Sequence, residues 1–118
     1  MTEVKKSTKK RKPPDPKPEA LCFDLKGSSP DHTDVLNGVR KITNLFRGTS
    51  IKFVQFLPRE HRWVITMDSM QSRDRMAGSY VTINDTEVQL RRYDDIAKLE
   101  YRKYIRANGL IEMVNSIP

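Results

Sequence analysis

"REHRWVITMDS", residues 59–69, carries the period of an extended chain. Successive side chains of a strand point to opposite faces, so Trp63, Ile65 and Met67 share one side while Arg62, Val64 and Thr66 share the other. The apolar content of the run marks it as a buried strand, with Trp63 on the core side or, if the register slips by one, itself a binding residue.

Working outward, "SIKFVQFL" before it reads as a second strand, joined by a tight turn around Pro58-Arg59-Glu60. If Ile51, Val54 and Phe56 point to the core, Phe53 and Gln55 face outward with Arg62, Val64, Thr66, Gln89 and Arg91; a slip of one residue would instead put Phe53 in the core. Further upstream, "SSPDHTDVLNGVRKITNLFRG" places Val35, Val39, Ile42 and Phe46 on one helical stripe, flanked by Leu36 and Leu45. Ser29 or Asp31 suits its N-cap, and Gly48 its left-handed stop. Gly38 costs helix propensity and permits a close approach to the sheet. "ALCFDL" opens the ordered body as a short apolar strand.

Downstream, "SMQSRDRMAGS" predicts a short helix capped by Ser69 and closed by Gly78. "YVTINDTEVQLRRY" predicts a hairpin turning at Asn84-Asp85, and "DDIAKLEYRKYIRANG" a last helix ending at Asn108-Gly109. The order is β-α-β-β-α-β plus one helix. The expected fold is therefore α+β: a ferredoxin-like sandwich with a C-terminal helix and a disordered basic N-terminal tail.

Charge divides the chain unevenly. Residues 1–18 carry seven Lys or Arg against two acids, +5 of the total +7, whereas residues 19–118 are nearly balanced. Low hydropathy, high charge and four prolines predict disorder for this tail. Its run Lys9-Lys10-Arg11-Lys12 fits a phosphate-binding arm or a nuclear import signal, against the plainer reading of a solvated tail. The expected organisation is a tail over 1–18, a body over 19–93, a helix over 94–109 and a terminal segment over 110–118.

One cysteine, Cys22, allows no internal disulfide, and no segment approaches the about 20 apolar residues that span a bilayer. A soluble protein of a reducing compartment is expected, with no membrane partner. His32 and His61 lack neighbours at metal-ligand spacing, and no nucleophile motif or phosphate-binding glycine loop is present. The expectation is a non-catalytic protein without metal or cofactor.

Over residues 20–93 the chain resembles an RNA recognition motif (RRM). "Met67-Asp68-Ser69" matches the end of that family's third strand, and "VTINDTEVQL" is similar to its closing hairpin. The alignment puts Arg62 and Val64 where the family carries its stacking aromatics, and Cys22 or Leu21 at the matching place in the first strand. The chain thus resembles the aromatic-poor type found in nucleic-acid-binding proteins of retrotransposons, in which a basic tail precedes the domain. It also resembles RRM-derived modules that bind proteins.

The resemblance implies binding of RNA or single-stranded nucleic acid, through backbone charge more than stacking, in the nucleus or shuttling between nucleus and cytoplasm. The alternative is an interaction or dimerisation module that docks a protein or a second copy. Expected contact residues are Lys9, Lys10, Arg11 and Lys12 in the tail, Phe53, Arg62, Val64 and Arg91 on the sheet, and Lys98, Arg102 and Arg106 on the last helix. Those last three recur at i, i+4 and i+8, either as a phosphate-tracking stripe or as a solvated helix face.

Overall fold

The cross-strand register around residues 62–67 organises the α+β fold. The computed structural model describes residues 13–25, 27 and 29–108. Strand β1 (Ala20–Asp24), helix α1 (His32–Thr43), strands β2 (Ile51–Leu57) and β3 (Arg62–Met67), helix α2 (Met70–Met76), strands β4 (Tyr80–Ile83), β5 (Thr86–Gln89) and β6 (Arg91–Arg92), and helix α3 (Tyr93–Ala107) follow in order. Two compact units are distinguished, residues 17–96 and a second whose described parts are 13–16 and 97–108.

In the larger unit β2, β3, β1 and β6 form an antiparallel sheet in that spatial order, while β4 and β5 pair only with each other. The sheet's core face carries Leu21 and Phe23 of β1 with Trp63, Ile65 and Met67 of β3. The same core takes in Val35 and Val39 of α1, Met76 of α2, and Val81, Ile83 and Val88 of the hairpin. The expected helical stripe is present: Ile42 and Phe46 pack partly buried against it, whereas flanking Leu45 is exposed.

Local chemistry sets the boundaries. Asp31 caps α1 by accepting from the Asp34 N–H at 2.8 Å, and Asp34 accepts from the Asp31 N–H at 3.1 Å, a reciprocal capping box. Ser69 caps α2 by accepting from the Ser72 N–H at 3.1 Å. The hairpin turns on Asn84 and Asp85, both left-handed at φ 48° and 67°, as a two-residue turn matched to strand twist requires. The β2–β3 connection spans residues 58–61, closing on a left-handed His61 at φ 52°.

Three features depart from the sequence reading. The hairpin does not supply the fourth strand of the main sheet: its apolar side is spent on the core, and the edge of β1 is filled by the two residues of β6. Gly38 makes its close approach to the hairpin rather than the sheet; a Cβ there would meet Ile83 Cδ1 at 2.5 Å and the Thr82 carbonyl oxygen at 2.7 Å. The body also begins earlier than Glu19, because the Lys17 N–H donates to Asp94 Oδ1 at 2.7 Å. The tail expected to be disordered lies, over residues 1–12, outside the described residues, as does the whole terminal segment 110–118.

Candidate functional site

The outer face of the sheet, opposite the core, is built in three cross-strand rows. A register shift between Ile51 and Phe53 makes Lys52 the extra residue of β2. That bulge lets Ile51, Val54 and Phe56 all meet the core-side residues Met67, Ile65 and Trp63, while Phe53 and Gln55 turn outward. The first row is Phe53, Thr66 and Ala20; the second is Gln55, Val64, Cys22 and Arg91; the third is Leu57, Arg62 and Asp24.

The rows differ sharply in access. Val64 and Cys22, at the centre, are closed to solvent. In the third row the Arg62 guanidinium donates from Nε to Asp24 Oδ1 at 2.8 Å and from Nη2 to Asp24 Oδ2 at 3.4 Å, with Glu60 Oε1 3.6 Å from Nη1. The Arg62 side chain is 4% exposed, against 49% for Asp24, so the cation is buried and its partner half in water. Ile96, in the first turn of α3, lines with Cys22, Arg62 and Arg91 a small cleft of about 160 Å³. In the first row Ala20 is buried and Thr66 half-buried, whereas Phe53 is 51% exposed, beside a cleft of about 480 Å³.

Arg62 and Val64 were expected to meet RNA; both are buried. They stand on the expected face, but the pleat decides only which side a residue points to, not whether that side is covered. Arg62 is a buried ion-pair residue and Val64 a packing residue. Phe53 and Arg91 are exposed on β2 and β6. On α3, taken by itself, Lys98, Arg102 and Arg106 are all exposed, and among the described residues none of them enters an ion pair. Lys9, Lys10, Arg11 and Lys12 lie outside the described residues.

A second charged cluster was not foreseen. Asp74 of α2 accepts from Arg73 Nε at 2.9 Å and Arg92 Nε at 3.0 Å, and Arg92 also reaches Asp95 at 3.8 Å. The Arg73 hydrogen bond, with the charges of Arg73 and Arg92, holds the Asp74 carboxyl below the usual carboxylate range. Asp68 is held below it too, chiefly by a hydrogen bond with the Ser72 side chain. Nothing in sequence spacing flags Asp74–Arg92, which are neighbours only through the path of the chain back to β1. Asp74, accepting from two guanidinium groups, is a clip between α2 and β6.

Among the described residues no three His, Cys, Asp or Glu gather as a metal would require, and no helix is long and apolar enough to cross a membrane. Comparison with models of protein families, with curated proteins and with solved structures found no match.

Proposed function

We propose that this protein is a non-catalytic RRM-like domain of the ferredoxin-like type that binds RNA or single-stranded nucleic acid mainly through backbone charge. The strand order β2-β3-β1-β6, with core helices following β1 and β3, supports the fold assignment. The observation that carries the function is the exposed, unpaired set Lys98, Arg102 and Arg106 on one helix stripe, about 6 Å apart along the axis. Residues 98–106 hold four cations and one acid, and residues 1–18 a further net +5. Cations kept free of carboxylate partners favour a polyanion, because each phosphate neutralised releases counterions. The closed centre of the outer face removes the platform on which bases would be read in sequence, so binding is weakly selective for base. The Lys9–Lys12 run serves as arm and import signal, placing the protein in the nucleus or in exchange with the cytoplasm.

The test is a titration of the full chain with single-stranded oligouridine across a salt series. The logarithm of affinity should fall linearly with the logarithm of salt, with a slope of about −0.7 per phosphate contacted. Deleting residues 1–12, or changing Lys98, Arg102 and Arg106 to Glu, should each flatten that slope. A slope near zero for the intact chain overturns the reading.

One observation favours the alternative interaction module. Strand β2 is the free edge of the sheet and carries the exposed Phe53 and Phe56, a template to which another strand can add. The Lys52 bulge opposes this, since edge bulges and lysines are ordinary guards against pairing. Sizing of the free protein separates the two: a dimer lost on Phe56→Lys supports the module, and a monomer that binds oligouridine supports the charge reading.

A further inference from the structure

We infer that the cleft beside Phe53 seats one unpaired nucleobase, stacked on the Phe53 ring at the open end of the outer sheet face. The inference rests on the single-strand reading above and adds to it a particular site. That site lies away from the central β1 and β3 positions, which Val64 and Cys22 fill.

The cleft follows from side-chain size. In the first row Phe53 stands next to Thr66, and Thr66 next to Ala20. Cross-strand neighbours are about 5 Å apart, so a methyl group and a short hydroxyl side chain leave a hollow beside the phenyl. The hollow measures about 480 Å³, within the range of small-ligand sites. An exposed aromatic flanked by such a floor offers a π-face to any base.

Its polar lining fits the same occupant. Gln55 and Thr66 border the hollow, and among the described residues neither side chain is committed to a hydrogen bond. An amide and a hydroxyl both donate and accept, so they can satisfy the edge of a pyrimidine or a purine without choosing strongly. Two ammonium groups stand nearby. Lys17, which lines the cleft, lies 5.6 Å over the Tyr93 ring, and Lys52 is 3.5 Å from Glu19, offsetting the one carboxylate in the lining. Lys17 is also the last cation of the strongly basic segment, so the phosphates flanking a seated base meet positive charge as the strand leaves the cleft.

The experiment uses the full chain, a single-stranded decauridylate, and a strand of equal length whose sugars carry no bases. Phe53 is half exposed, so Phe53→Ala should keep the melting temperature, and its affinity for decauridylate should fall about tenfold with the salt slope unchanged. Wild type should bind the abasic strand about as weakly as Phe53→Ala binds decauridylate, with no further loss when the two changes are combined. Phe53→Trp should retain affinity and show quenched emission on binding. Equal affinity of wild type for the two strands, or of Phe53→Ala and wild type for decauridylate, overturns the inference while an intact salt slope leaves the charge reading standing. Absence of salt-dependent binding to either strand overturns both.

Discussion

The two faces of β3 are both largely buried, and for different reasons. On one, Trp63, Ile65 and Met67 join a continuous apolar core shared by two helices and a hairpin. On the other, Arg62, Val64 and Thr66 run from a buried ion pair through a fully closed valine to a half-buried threonine at the open end. The first face is hydrophobic along its length, so burial alone stabilises it. The second is graded, and the proposed nucleobase site lies where the gradient reaches solvent. Alternation in a strand separates the faces but does not say that both are covered; a run apolar on both sides is the usual sign of that.

The largest expected effect breaks the first face. Trp63 is packed in the core against Phe56 at 5.1 Å between ring centroids and against His32 at 4.9 Å. Trp63→Ala should cost about 3–5 kcal/mol, much of a small domain's stability, and should be read by thermal or denaturant unfolding. A fully stable variant would mean that this face is not the core.

The second face should break differently. Arg62→Glu sets a third carboxylate beside Asp24 and Glu60 at a buried position and should cost about 3 kcal/mol. Arg62→Met keeps the packing and lets the half-exposed Asp24 return to water, so its cost should stay within about 1 kcal/mol. If Arg62→Glu unfolds nothing and weakens only oligouridine binding, Arg62 is a surface contact after all and the contrast between the faces fails.

The smallest effect lies outside both faces and tells how the elements around them are clipped. Asp68 and Asp74 have folded-state pKa values depressed by their hydrogen bonds, so they bind protons less readily in the folded than in the unfolded chain. Their stabilisation is therefore complete above the ordinary carboxylate range and is lost as pH falls through the lower folded values. Unfolding midpoints should decline modestly at that acid end, and Asp74→Asn should flatten the decline. An unchanged acid limb in that variant would show that the Arg73–Asp74–Arg92 cluster contributes nothing.

Much of this was legible in the sequence because period and capping are local. The 3.6 repeat of Val35 and Val39, the Asp31 and Ser69 caps, and the Asn84-Asp85 turn each depend on residues a few positions apart. The division of residues between the sheet faces was legible too, including the outward turn of Phe53. What made that turn possible was not: the Lys52 bulge, which keeps Ile51 on the core side, is a property of pairing with β3. The two-residue β6 was hidden for the same reason, since nothing in Arg91-Arg92 marks a strand until β1 offers an edge. Covering of Val64 and Arg62 is longer in range still, and it moved the candidate site from the middle of the sheet to its open end.

Methyl chemical-shift mapping of the full chain during titration with decauridylate tests the central claim most directly. That claim is that nucleic acid meets the open end of the outer face and leaves the centre closed. The Thr66 methyl and the Phe53 ring resonances should move with saturation, while the Val64 methyls, fully buried, should not. Val64 methyls that shift as far as Thr66, or a Thr66 methyl that stays still while the strand binds, would contradict it.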